Sequence, residues 1–200
     1  MPVIALNGSD CVLRDGTSVS KKQISDKDFQ KAYALSRQFG FPIAVETDNG
    51  IFVNELNPIV IELARLVDHP VPPVIDIEKE FVEGKCCQLC FYCDEETEKE
   101  VMAQLPNLSA SRWHPIFADI NVKGVDKASG IREFASYYDF DISHTIAFGD
   151  GGNDISMLRE AGIGIAMGGA AESIRAVSDY VTDTVDNDGI RNALIHFGII

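Results

Sequence analysis

The sequence predicts an α/β protein: a parallel-sheet core of the Rossmann kind, with an α+β unit inserted into it. Two observations carry this expectation. Beyond residue 126, helical patterns alternate with short, mainly apolar runs at residues 145–150, 163–167 and 180–182, the pattern of parallel βαβ units. Between residues 10 and 117 the pattern is one of hairpins mixed with helices, which reads as α+β. The core is therefore expected in residues 1–9 and 118–200, and the inserted unit in residues 10–117. A chain of 200 residues, 46% of them hydrophobic, can bury a core of that size.

In order along the chain, residues 2–6 are an apolar run ending at Asn7-Gly8, expected as a buried strand and its turn. Cys11-Val12-Leu13 followed by Arg14-Asp15-Gly16-Thr17 predicts a hairpin tip. Ser25 is placed to cap a helix with Phe29, Ala32, Tyr33 and Ser36 on one face, closed by Gly40. Asp48-Asn49-Gly50 lies between two apolar runs, where Asn-Gly is a strong hairpin signal. Asn57-Pro58 starts a helix to Leu66, with proline at its favoured first position. A proline-rich loop, a cysteine-rich strand, a helix over residues 95–104 and strands near 108–113 and 116–122 complete the middle region. Helices are expected at residues 127–137, 154–161 and 172–177, with a last one from Gly189.

Four of the five cysteines form the cluster Cys86, Cys87, Cys90 and Cys93, whose spacing could hold a metal. On a strand, however, Cys87 and Cys93 face one side and Cys86 and Cys90 the other, which splits the ligand set. The expectation is a strand of inert, buried thiols.

Seventeen Lys and Arg against 31 Asp and Glu give a net charge of −14. That field argues against a nucleic-acid partner. It also requires any phosphate site to bring its own positive charge, from a metal, a lysine or backbone N–H groups. The chain has no apolar run long enough for a membrane span, and its start lacks signal-peptide features, so a soluble cytoplasmic protein with no membrane partner is expected.

The chemistry concentrates in Phe148-Gly149-Asp150-Gly151-Gly152-Asn153-Asp154, at the C-terminal end of an expected parallel strand, where open α/β sheets bind ligands. Asp150 and Asp154 offer hard oxygens suited to magnesium, and Asn153 lies at a helix start suited to an anion. The simpler alternative is a strand–turn–helix link with Asn153 or Asp154 as a cap. Lys127 also stands at a helix start, where a cation is unfavourable unless an anion lies close.

Lys127 in Gly-Val-Asp-Lys-Ala, followed by Gly149-Asp150-Gly-Gly-Asn153-Asp154-Ile-Ser-Met-Leu, resembles motifs III and IV of the haloacid dehalogenase (HAD) superfamily. The subgroup it resembles is the Cof-type phosphatases with a type-IIB α/β cap. Residues 161–168, 179–182 and 188–190 and the opening Pro-Val-Ile-Ala-Leu-Asn-Gly fit the same pattern. The resemblance implies a magnesium-dependent (Mg2+) hydrolase of small phosphorylated metabolites such as sugar phosphates. It implies that Lys127 neutralises the phosphoryl group and that Asn153 contacts it. It further implies that Asp150 binds the metal and that Asp154 holds the metal or its water.

The family's nucleophile, in Asp-x-Asp-Gly-Thr, has no match. Leu13-Arg14-Asp15-Gly16-Thr17 has leucine at the attacking position, Asp186-Asn187-Asp188-Gly189 falls at a C-terminal turn, and Asp139-Phe140-Asp141 follows a helix. By the resemblance, residues 2–6 are the third core strand, so the N-terminal part of the core is expected to be missing. That leaves a gap beside the strand at 145–148, an inactive lone polypeptide, and self-association or a complementing N-terminal segment as partner. A non-catalytic phosphate- and metal-binding module, and a phosphomutase of the same superfamily, are the alternatives. Trp113, His114, Glu46 and Asp48 are the candidates for selecting the substrate.

Overall fold

The computed structural model describes residues 1–81 and 85–200, with Glu80 described through its backbone. The chain forms two units, Met1–Val19 with Asp126–Ile200, and Ser20–Val125.

The first unit opens with β1 (Val3–Ala5), β2 (Asp10–Val12) and β3 (Ser18–Lys21), a three-stranded sheet in that order, of whose last strand only Ser18 and Val19 fall within the unit. β1 and β2 are antiparallel, with Val3 opposite Val12 and Ala5 opposite Asp10. The hairpin expected at residues 14–17 forms: the Leu13 N–H donates to the Thr17 carbonyl, and Asp15 Oδ1 accepts from the Thr17 N–H at 3.0 Å. These bonds to Thr17 hold the Asp15 carboxyl below its ordinary range, and they make Asp15 a turn residue.

The second unit contains α1 (Asp26–Phe39), β4 (Ile43–Thr47), β5 (Gly50–Val53), α2 (Pro58–Leu66), α3 (Ile77–Glu80), β6 (Cys86–Phe91), α4 (Glu95–Met102), β7 (Leu108–His114) and β8 (Phe117–Val122). Local signals set most of these ends. The Ser25 hydroxyl accepts from the Asp28 N–H at the start of α1, and left-handed Gly40 closes it. Asn57 caps α2 ahead of Pro58. The β4–β5 hairpin turns on Asp48-Asn49, and Gly50 is already paired with Thr47. All four pairings of the five-stranded sheet, ordered β5-β4-β6-β8-β7, are antiparallel.

One face of this sheet carries Val45, Leu89, Phe91 and Ile120 against Phe29 and Leu35 of α1 and Val101 of α4. The opposite face is divided. Ala44, Val53, Cys90, Tyr92 and Phe117 pack with Val60 and Leu63 of α2, while Gln88, Asp119 and Asn121 form a buried polar strip beside them. Gln88 Nε2 donates to Asp119 Oδ1 at 3.0 Å, and Asn121 Nδ2 to Gln88 Oε1 at 3.1 Å, so the strip is hydrogen-bonded within itself.

The structure corrects two expectations here. The inserted unit is not residues 10–117. Residues 10–12 pair with β1 in the first unit, and β8 is an inner strand of the second unit's sheet, so both borders move toward the C-terminus. Nor do Cys86 and Cys90 share a face. A register shift between Glu46 and Thr47 sets Glu46 opposite Gln88 and Thr47 opposite Cys86, which turns Cys86 toward Leu89, Phe91 and Cys93. Burial pushes the Cys86 thiol up to about 12 and Cys93 to about 11. Among the described residues, no group of three or more His, Cys, Asp or Glu is arranged to hold a metal ion.

The chain returns to the first unit through α5 (Lys127–Tyr138), β9 (Ile146–Gly149), α6 (Ile155–Glu160), β10 (Ile163–Ala166), α7 (Glu172–Arg175), β11 (Tyr180–Val181) and α8 (Gly189–His196). β9, β10 and β11 form a parallel sheet in the order β11-β10-β9, with Ala147, Leu158, Ala166, Ala170 and Ile174 as its packed core. Among the described residues, β1 and β9 belong to separate sheets. No described helix is long and apolar enough to cross a membrane.

Candidate active site

The start of α5 is fixed from two directions. Asp126 Oδ1 accepts from the Ser129 N–H at 2.8 Å while Ser129 Oγ accepts from the Asp126 N–H at 3.0 Å, a reciprocal cap that sets the direction of Lys127, the first helical residue. The turn after β1 seats against the same cap. Gly8 lies so close to it that a Cβ there would stand 2.1 Å from the Asp126 carbonyl oxygen, and its φ of +99° also suits only glycine.

The loop from β9 to α6 is organised by Asp154. Its carboxylate folds back so that Oδ2 accepts from the N–H groups of Asp150 and Gly151, each at 2.9 Å. Gly149 makes this possible, because a Cβ on it would stand 2.5 Å from Asp154 Cβ. The other oxygen, Oδ1, receives Lys127 Nζ at 2.5 Å. Asp154 is only 4% exposed, so its charge is taken out of water and both its oxygens are bonded. The cap reading of this loop is thus half right: Asp154 reaches back to its own loop, and no side chain caps α6.

Asp150 sits at the end of β9 and is exposed. Asn153 is half-buried, and its Nδ2 donates to Asn7 Oδ1 at 3.0 Å. Lys127, Gly149, Asp150 and Asp154 line one cleft of ≈ 600 Å³, whose other walls are Ile4, Phe148, Met157, Met167, Val185 and Ile190. The cleft therefore has one polar end, with an ammonium and two carboxylates, and apolar sides. Asn153 stands beside it and is not among the lining residues.

Magnesium is bound by one or two carboxylates, with water and phosphate oxygens completing its shell. An exposed Asp150 next to a firmly held Asp154 fits that requirement, since every donor is a hard oxygen and Asp150 is open to solvent. The other aspartates weighed from the sequence serve the backbone. Asp141 Oδ1 accepts from the Ser143 N–H at 2.9 Å, and Asp139 and Asp188 occupy left-handed positions at helix ends.

Of the four substrate-selecting candidates, Glu46 and Trp113 line a second cavity of ≈ 420 Å³ within the Ser20–Val125 unit, together with His69, Tyr92, Phe117 and Asp119. Asp48 pairs instead with Lys21, and His114 is not among the lining residues. Trp113 Nε1 donates to Asp119 Oδ2 at 3.2 Å, and the Cys90 thiol donates to Glu46 at 3.3 Å. Burial raises the Glu46 carboxyl above its ordinary range, and the neighbouring Asp119 charge adds to the rise. Sequence reasoning alone does not single out Asp119 or Asn7. Asp119 had a signal, a charged residue inside the apolar run Phe117-Ala118-Asp119-Ile120; Asn7 reads as a turn residue and as part of the opening match to the family pattern, with no role attached.

Compared with known proteins, residues 1–194 match the haloacid dehalogenase-like hydrolase family model. The structure superposes with a TM-score of 0.93 and 56% identity on BT1666 from Bacteroides thetaiotaomicron, described among HAD-superfamily phosphatases, covering 100% of this chain and 74% of that one. It superposes with a TM-score of 0.92 and 36% identity on BT4131, a HAD subclass IIB sugar phosphatase, over 100% of this chain and 76% of that one. In sequence it is 33% identical over 107 residues to YcsE of Bacillus subtilis, a 5-amino-6-(5-phospho-D-ribitylamino)uracil phosphatase. That match covers 52% of this chain and 43% of the relative, so the chain spans less than half of YcsE's length.

Proposed function

Because the chain belongs to the haloacid dehalogenase-like hydrolases, we propose that the cleft of Lys127, Asp150 and Asp154 is the phosphoryl site of a magnesium-dependent phosphatase acting on small phosphate monoesters. The observation that carries this reading is the Lys127–Asp154 pair, formed at the end of a parallel strand with the open Asp150 carboxylate on the same cleft. Bound magnesium would supply Lewis-acid charge to the phosphoryl oxygens. The chain's own residues do the rest. Lys127 brings a fixed ammonium to the negative charge of phosphoryl transfer, Asp150 is the carboxylate open to the metal, and Asp154 holds Lys127 and the loop in place. Asn153 donates an N–H to the phosphate.

Of the carboxylates on the described cleft, Asp154 is committed to Lys127 and the loop, and Asp150 is given to the metal. The attacking carboxylate is accordingly assigned to a group outside this cleft's lining. For the substrate, sugar phosphates are the favoured class. The likeness to BT4131, a HAD subclass IIB sugar phosphatase, supports this. The five cysteines are all thiols rather than disulfides, which suits a reducing cytoplasm.

Calorimetry of the purified chain with inorganic phosphate, with and without magnesium chloride, tests the reading. Saturable binding that needs magnesium, and that weakens about 10–100-fold in Lys127→Ala for the loss of a charge-assisted bond, is expected. Absence of binding would overturn the phosphate site. Magnesium-dependent binding with no release of phosphate from sugar phosphates would favour a non-catalytic module.

A further inference from the structure

The turn that follows β1 has an unusual backbone. Leu6, Asn7 and Gly8 all have positive φ, at 50°, 53° and 99°. Glycine takes this conformation freely and asparagine tolerates it, but leucine is disfavoured there. Such a conformation persists only where its surroundings demand it, and it is found disproportionately at functional sites. Two demands are visible. Gly8 must lie against the Asp126 carbonyl at the start of α5, and Asn7 must reach Asn153, 146 residues away in sequence.

The Asn7–Asn153 bond has a chemical consequence. A carboxamide has a donor end and an acceptor end of nearly the same shape, so rotation by half a turn exchanges them. An Asn153 free to rotate would present its carbonyl oxygen to an anion as readily as its N–H. Here Nδ2 is held by Asn7 Oδ1 at 3.0 Å, while Oδ1 lies over Gly151, where a Cβ would stand 2.8 Å from it. The donor end of the amide is therefore held at Asn7, and one Nδ2 hydrogen remains for another acceptor.

We infer that Asn7 is a positioning residue, which fixes the Asn153 amide with its donor end toward a bound phosphate. The inference rests on the proposed phosphate site. The same turn seats the α5 cap that directs Lys127, so one short strained segment sets two of the groups assigned to the phosphoryl group.

A double-mutant cycle on the full chain tests it, read as phosphate affinity by calorimetry in magnesium chloride. Asn7→Gly keeps the left-handed backbone and removes only the side chain. It is expected to weaken phosphate binding about 3–10-fold, the value of one neutral hydrogen bond. In an Asn153→Ala background the same substitution is expected to change nothing, since the amide it orients is gone. Asn7→Asp keeps both the acceptor and the tolerance for positive φ. In proton–nitrogen spectra it should therefore leave the Asn153 side-chain resonances at their folded positions, while Asn7→Gly moves them toward a solvated amide. Equal weakening in both backgrounds would show that Asn7 acts through the fold at large and would overturn the inference. So would unchanged affinity in Asn7→Gly, or unchanged Asn153 resonances. Failure of the unsubstituted chain to bind phosphate would instead remove the phosphate site itself, and the inference with it.

Discussion

Asp150 and Asp154 are the same residue type four positions apart, yet their surroundings give them opposite duties. Asp154 is buried and bonded to Lys127 and two backbone N–H groups; Asp150 is exposed. Asp154→Asn is therefore expected to lower unfolding free energy by about 1–3 kcal/mol, because an amide cannot replace both acceptor oxygens. Asp150→Asn should stay within about 0.5 kcal/mol of the parent, as exposed substitutions do, while abolishing the magnesium dependence of phosphate binding. Urea unfolding and calorimetry on the two variants check both statements, and a reversed order of stabilities would refute the division of roles. Gly149→Ala should also destabilise, by about 1–3 kcal/mol of overpacking, since its Cβ would meet Asp154 Cβ at 2.5 Å.

Glu46 belongs to the same scale and gives a pH signature. Burial, reinforced by Asp119, raises its pKa in the folded chain above the ordinary value of 4.5. The folded state thus keeps this proton longer than the unfolded state does. Its contribution to stability is fully present below the ordinary value and declines as pH rises toward the raised one. Glu46→Gln removes that decline. The variant should gain stability relative to the parent as pH increases from acid to neutral, and a difference between the two chains that does not vary with pH would contradict the assignment.

Among the elements, those with strong local signals are legible in the sequence. Ser25 and Gly40 delimit α1, Asn57-Pro58 opens α2, and Asp126 with Ser129 opens α5. α3, four residues long, is too short to show a helical period. The cysteine strand is legible as a strand, but the shift that turns Cys86 is not, because it arises in the pairing of β6 with β4. Burial of this strand predicts slow chemistry. The native thiols should react with a disulfide reagent at pH 8 at least about 100-fold more slowly than in urea, since the thiolate is both scarce and covered. Fast labelling of Cys86 or Cys93 in the folded chain would contradict their raised pKa values.

At the scale of the molecule, a chain of net charge −14 gathers an ammonium, a tightly held carboxylate and an open one on a single cleft of its first unit. The sequence by itself determined the two-part α/β and α+β architecture, the helix caps, and the identity and spacing of Lys127, Asp150, Asn153 and Asp154. These are encoded in backbone preferences and residue types over a few neighbouring positions. The tertiary structure decided which carboxylate is held and which is open, where the unit borders fall, that Asp119 and Tyr92 join Glu46 on one cavity, and that Asn7 reaches Asn153. Each of those depends on strand register or on packing between residues far apart in the chain, and no local pattern records how distant segments meet.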